Sequence, residues 1–395
     1  SKWNQSTLAG FKINNPMIIQ RPRHQISACG HSIWRLGCMG LTILFVGLGL
    51  AACSPSPWDQ AQTRYTEGLA RTLDVPLPSS DPSAIKAPVP PQSVREPAAG
   101  RTFPQPDQQE TRAAATNDPE SLNLLDYLRT TPCELHRLIS EHNSSLGKLS
   151  SATTRLVYDV NFINASGRCV TRLSASHPEL ADQLQREADR KRAQLPDQLR
   201  AALLYGPEFT QFWRAQSSLG QYPETLQSDL EPALKALLHD ATAISTLAFT
   251  GTASDLDLAL AALRSAEGGL LLKGWLDVAY QMQAANAVID TFLAKRPLCY
   301  NNQSNPRALR LKALVENVYV GQLQPMTAAL NRRTHALLPL IEALERAVGA
   351  RQDPRYAAFI SARTDVIGTA RARLVSHTER LQGLLAQCQL APGQG

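Results

Sequence analysis

The spacing of apolar residues near the end of the chain constrains the fold more than any other feature. A repeat of seven residues places side chains on one stripe of an α-helix, and such stripes let long helices pack side by side. The sequence therefore predicts two antiparallel helices over 306–348 and 354–389, with bends at Pro325 and Pro339. The repeating residues are Leu323, Leu330, Leu337 and Leu344 in the first helix, and Ile360, Ile367, Leu374, Leu381 and Cys388 in the second.

Helical spacing also dominates the rest of residues 120–390, where no segment alternates as a half-buried strand does. A capping box over Ser176–Glu179 is expected to open one long helix. Residues 53–74 are predicted to form one more amphipathic helix, in which Trp58 and Tyr65 share a face, and we expect that face to pack against the body. The predicted fold is all-α: an elongated bundle of long antiparallel helices with a Pro-rich N-terminal arm.

Residues 75–119 are the Pro-rich arm. They hold ten prolines in 45 residues and few aromatic residues, a composition typical of an extended linker with polyproline character. The arm either holds the body away from a membrane or wraps around it. The helix that precedes the arm favours the second interpretation.

Residues 1–52 have the order of a secretory signal peptide. A basic, acid-free region precedes an apolar segment over 39–50, and small residues follow. The alternative is an uncleaved transmembrane helix. That helix would have to span the bilayer with fewer than the roughly 20 apolar residues normally needed, and Pro55 and Pro57 follow closely.

The sequence Leu50-Ala51-Ala52-Cys53 resembles the lipobox of bacterial lipoproteins. The resemblance implies that the leader is removed and that Cys53 carries acyl chains such as palmitate. Two or three chains make a stable anchor, whereas one is marginal. Ser54 after the cysteine favours the outer membrane, with the body facing the periplasm.

The formal charge of +6 comes almost entirely from this leader. Residues 1–52 contain five Lys and Arg and no acidic residue, which leaves a net charge of +1 for the rest of the chain. A nucleic-acid surface needs clustered, uncompensated basic residues. No nucleic-acid partner is therefore expected; the expected partners are the membrane, through the lipid, and an envelope protein.

Four cysteines remain in the predicted mature chain besides Cys53, and an even number in an oxidising compartment predicts disulfides. Cys133 and Cys169 lie at the two ends of a predicted helical hairpin, so we expect them to pair. Cys299 and Cys388 then pair by elimination. No cofactor and no metal site are expected.

Two short motifs of enzymes occur, but each lacks its context. Ser145 and Lys148 have the Ser-x-x-Lys spacing of penicillin-binding enzymes, yet Gly147 separates them and the companion motifs are missing. His239-Asp240 resembles the metal-binding pair of phosphohydrolases, but further ligands for a metal do not accompany it. The sequence therefore predicts no catalytic residues.

The turn between the first two helices of the body is the candidate binding site. It consists of His142, Asn143, Ser144 and Ser145, and His142 falls in the apolar face of its helix. A buried histidine that bonds to a neighbour is the favoured interpretation, and a recess for a ligand or glycan is the alternative. The last helix also places Arg363 and His377 on its apolar face, and the predicted partner of Arg363 is Glu342.

The segment LLDYLRTTPCELHRLISEHNSSLGKLSSATTRLVYDVNFI, residues 124–163, resembles an uncharacterised bacterial lipoprotein family, domain of unknown function 3080. In that family Arg usually precedes Asn-Ser-Ser, where this chain has His142. The resemblance implies a membrane-anchored, α-helical, secreted lipoprotein and supplies no activity. We expect a non-enzymatic structural or partner-binding role in the cell envelope. The alternative is a periplasmic hydrolase or ligand-binding protein that uses the 133–151 turn.

Overall fold

The computed structural model describes residues 56–78, 88, 91, 124–144, 150–224 and 229–390. Within these ranges the chain forms twelve α-helices and no strand, so the predicted all-α fold is confirmed. The α-helices are α1 Pro57–Leu73, α2 Leu124–Arg129, α3 Leu135–Asn143, α4 Ala152–Leu173, α5 Pro178–Leu203, α6 Pro207–Phe212, α7 Leu230–Ser245, α8 Ala253–Ala261, α9 Glu267–Leu293, α10 Pro306–Leu314, α11 Gln324–Ala347 and α12 Pro354–Ala386. None of the helices in these ranges combines the length and the apolarity needed to span a bilayer.

Polar caps and prolines fix where several helices begin. Ser56 accepts a hydrogen bond from the backbone N–H of Asp59 at 3.2 Å and so caps α1.

The capping box predicted at Ser176 is absent. Residue His177 precedes the first residue of α5, Pro178, and makes no side-chain cap bond. Ser176 lies one residue too early to reach the first turn.

Helix α1 packs into the main hydrophobic core, as its sequence indicates. Its aromatic and leucine face contacts α9, α10 and the segment after α10. The indole N–H of Trp58 donates to Asp277 Oδ2 at 3.2 Å. Four of its side chains are at most 1% exposed: Trp58, Tyr65, Leu69 and Leu73. The helix next to the predicted lipid anchor is thus a structural part of the body.

The last two predicted helices form a long antiparallel hairpin. The first runs through α10, a π-helical segment over Val315–Leu323, and α11. A 3₁₀ turn over Ala350–Gln352 then leads into α12. The sequence did not predict the π-helical segment, which ends two residues before Pro325, where a bend was expected. The seven-residue repeat is buried as predicted at Leu330, Leu337, Leu344, Ile360, Ile367 and Leu381.

Two disulfides connect segments that are distant in sequence. Cys133 pairs with Cys169 across the hairpin of α3 and α4, with their Cα atoms 5.4 Å apart. Cys299, in the loop before α10, pairs with Cys388 just after α12, with a Cα separation of 5.3 Å. The first pair was expected from the ends of the helical hairpin and the second by elimination, and both are present.

Candidate functional site

A cavity of about 640 Å³ lies among α1, α9, the π-helical segment, α11 and α12. We call it the groove. Helix α11 lines it with a stripe at helical spacing, from Gln324 through Thr327, Ala328 and Asn331 to His335. This stripe runs beside the buried leucine repeat of the same helix, so the groove lies directly against the core.

Helix α12 forms the facing wall. Arg371, Leu374, Val375 and Thr378 recur at intervals of three and four residues and point into the groove. The levels of Arg371 and Thr378 differ by about 10 Å, at 1.5 Å of rise per residue. The groove therefore has two ends, and different chemical groups occupy them.

One end of the groove is cationic. The guanidinium of Arg371 donates to Asn331 Oδ1 at 2.9 Å and lies over the ring of Trp275, 5.2 Å from its centroid. Arg371 and Asn331 are both half-buried, and His335 is exposed at the rim. The lining of the groove contains no Asp or Glu, and within the described ranges Arg371 forms no salt bridge.

The middle of the groove is apolar. Val278 and Met282 of α9 face Leu374 and Val375 of α12. The hydroxyl of Thr327, which also lines the groove, donates to the backbone oxygen of its own helix at Leu323, at 2.8 Å. The middle therefore offers apolar contact rather than free hydrogen-bonding groups.

The opposite end is polar and uncharged. The hydroxyls of Tyr319 and Thr378 are hydrogen-bonded at 3.1 Å, and burial raises the pKa of Tyr319. The amide of Gln281 donates to Thr66 Oγ1 at 2.7 Å and also to the backbone oxygen of Gln62, so it fixes α1 against α9. These groups satisfy one another within the protein.

A neutral histidine lies in the core between α1, α9 and α12. His377 Nδ1 lies 2.7 Å from Asn286 Oδ1, and Nε2 lies 2.6 Å from the hydroxyl of Tyr65. A ring that donates through Nδ1 and accepts at Nε2 satisfies both contacts. Burial, aided by the charge of Arg380, lowers the pKa of His377 to about 3. The group stabilises the contact between α1 and α12 in its uncharged form.

Arg363 forms a buried salt bridge, but its partner is not the predicted one. The guanidinium donates to both oxygens of Glu345, at 2.7 and 2.8 Å, and the two side chains are 0% and 3% exposed. The prediction of Glu342 was wrong because Glu345, one turn later on α11, is the carboxylate that points into the core and also accepts from Tyr356. Such a pair fixes register between α11 and α12.

The predicted binding turn lies in a different part of the fold. His142 is half-buried and stacks on Tyr158, with ring centroids 4.0 Å apart, while Asn143 and Ser144 are exposed. Ser145 lies outside the described residues. The predicted turn thus supplies one half-buried side chain rather than a cluster.

His142 lines a recess of about 260 Å³, but Asn143 and Ser144 do not. The charged groups of this recess are largely paired, since Lys191 Nζ lies 2.5 Å from Asp159 Oδ1. Burial, followed by the charge of Lys191, lowers the pKa of His142. The recess is smaller and more highly charged than the groove.

The remaining predicted residues do not form a further site. Cys53, Ser145 and Lys148 lie outside the described residues. His239 is exposed on α7, next to Asp240. In the part of the chain that the structure describes, no group of three or more His, Cys, Asp and Glu side chains is placed to hold a metal ion.

The family model of DUF3080, described as a protein of unknown function, matches residues 63–392. The chain therefore belongs to this family, as its residues 124–163 indicated. No curated protein and no solved structure matches it. The family match covers all of the elements that line the groove, apart from the first residues of α1.

Proposed function

We propose that this protein is a lipid-anchored lipoprotein of the outer membrane that faces the periplasm and binds an envelope component in its groove, without catalysing a reaction. The groove is the observation that carries the proposal. Ligand sites are typically cavities of about 300–1,000 Å³, mostly apolar and with a few polar groups that orient the ligand. The groove, at about 640 Å³, has this size and composition.

The position of α1 relates the groove to the membrane. The predicted acylated residue, Cys53, precedes the first residue of α1 by only four positions, and Gln62 of α1 lines the groove. A lipid at Cys53 would hold the groove close to the bilayer surface. The two disulfides agree with an oxidising compartment such as the periplasm.

Binding is favoured over catalysis by the hydrogen bonds in the groove. A nucleophilic hydroxyl needs a base within hydrogen-bond reach. The hydroxyls of Tyr319 and Thr378 bond to each other, and His335 at the rim bonds to neither. The groove therefore offers contacts for a ligand and no activated nucleophile.

Site-specific photocrosslinking tests the proposal. A photoreactive phenylalanine replaces Ala328, which is exposed within the groove, in the full chain produced in its own envelope. The matched control replaces Ala372, an exposed alanine of α12 outside the groove. We expect capture of an envelope component from position 328 only. Equal capture from both positions, or none, would contradict the proposal.

A second candidate is hydrolysis or ligand binding at the 133–151 turn, which the recess beside His142 favours. The triple variant His142→Ala, Asn143→Ala and Ser145→Ala tests it. We expect the triple variant to alter the stability of the fold, measured as its melting temperature, and to have little effect on any cellular phenotype. A folded triple variant with an unchanged melting temperature that behaves like a deletion strain would favour the second candidate.

A further inference from the structure

We propose that the groove binds a single-chain anionic amphiphile, a molecule with one acyl chain and a negatively charged head, as in a fatty acid or an anionic lysophospholipid. The head lies at Arg371 and Asn331, and the chain lies along the apolar middle. This inference rests on the proposed function, because it names the class of component that the groove binds.

The charge of the head follows from Arg371. Arginine is always protonated, and its planar guanidinium suits carboxylate and phosphate oxygens. Here it is half-buried, held by neutral Asn331 and the face of Trp275, and the lining has no carboxylate to neutralise it. An anionic ligand would supply the missing charge, whereas a cationic ligand would find no partner in the lining.

The apolar middle of the groove is the reason for inferring an acyl chain. Recognition of an extended peptide relies on free backbone-type donors and acceptors along the site. The side chains of Val278, Leu374 and Val375 have none, and Thr327 uses its hydroxyl within its own helix. An apolar chain, which needs no hydrogen bonds, therefore fits this wall better than a peptide does.

The cationic end of the groove, at Arg371, requires a ligand other than the protein's own lipid. The acyl chains predicted on Cys53 are joined through esters and an amide, which carry no charge. If they filled the groove, they would leave Arg371 without an anion. A separate amphiphile with a free acidic head satisfies both the apolar middle and the guanidinium.

The test uses a palmitate analogue with a photoreactive diazirine and an alkyne, added to washed envelopes that contain the full chain. We expect adducts on peptides from α9, α11 and α12 that line the groove. Unlabelled palmitate or lysophosphatidylglycerol should displace the probe, and the stronger competitor identifies the head group. Methyl palmitate, which has the same chain without the charge, should not.

Two pairs of variants test separately how the charged head and the acyl chain contribute to binding. Arg371→Gln should weaken apparent affinity about tenfold or more, the value of a hydrogen bond to a charged group. Arg332→Gln, at an exposed arginine of α11, should leave it unchanged. Val375→Asn should place a polar amide in the apolar middle and weaken labelling, whereas Ala372→Asn, outside the groove, should not. Thermal melting of all four variants reports folding.

Equal labelling of Arg371→Gln and Arg332→Gln, displacement by methyl palmitate, or adducts confined to peptides outside the groove would overturn the inference. Capture of a protein from position 328, with no displaceable probe, would also overturn it while leaving the proposed function intact. The absence of both capture and probe labelling would contradict the two together.

Discussion

Acidification should destabilise this protein through His377, the histidine at the contact of α1, α9 and α12. In the folded state burial holds its pKa at about 3, whereas an unfolded histidine titrates near 6.5. Between these values the unfolded chain binds the additional proton, so stability falls as pH falls below the unfolded value. At pH 5 the ring is about 1.5 pH units below the unfolded pKa, which corresponds to a loss of about 2 kcal/mol.

The assay is urea unfolding of the wild type and of His377→Gln at pH 7, 6 and 5. Other titrating groups contribute equally to both proteins, so the difference between their pH slopes isolates His377. The wild type should lose about 2 kcal/mol more than the variant from pH 7 to pH 5. His239→Gln, at an exposed histidine, should follow the wild type. Parallel slopes for wild type and His377→Gln would refute the reasoning.

Further predictions concern the packing between helices. Arg363→Met leaves the carboxylate of Glu345 buried without its partner and should reduce the unfolding free energy by about 3–5 kcal/mol, and adding Glu345→Met should restore part of it, as measured by urea titration. A larger loss in the double variant would contradict this. In Gly269→Ala the new Cβ would clash with the backbone oxygen of Arg214, so we expect the unfolding free energy to fall by about 1–3 kcal/mol. Gly383→Ala, with nothing within 4 Å of the new Cβ, should raise the unfolding free energy by about 0.5–1 kcal/mol. Equal melting temperatures of the two glycine variants would contradict both expectations.

The repeat of sevens was enough to predict the core of the terminal hairpin, because a buried stripe leaves a direct trace in the sequence. Leu330, Leu337 and Leu344 are fully buried where the repeat places them. The disulfide between Cys133 and Cys169 was predictable for a similar reason, since the two ends of a short helical hairpin must meet.

The partner of Arg363 was less predictable. Glu342 and Glu345 lie three residues apart on α11, and the choice depends on the rotation of two helices about their axes. That rotation is set by packing across the whole bundle, including the buried hydroxyl of Tyr356 beside Glu345. Spacing along one helix does not contain this information.

The groove was missed because its lining comes from five separate elements, each of which resembles an ordinary amphipathic helix. One trace exists in α11, where Thr327, Asn331 and His335 form a polar stripe beside the buried leucines. Only the packing of α12 and α9 turns that stripe into a wall. The π-helical segment that carries Tyr319 into the groove had no recognisable signature either.

Acylation of Cys53 is what would place the groove at a membrane, and the mass of the N-terminal peptide of the mature protein, isolated from membranes, tests it most directly. The predicted result is a chain that begins at Cys53 and carries two or three acyl groups. In the variant Cys53→Ser the acyl groups should be absent and the leader should remain uncleaved. A membrane-derived wild-type chain that retains residues upstream of Cys53, or an acylated Cys53→Ser chain, would contradict the lipoprotein assignment.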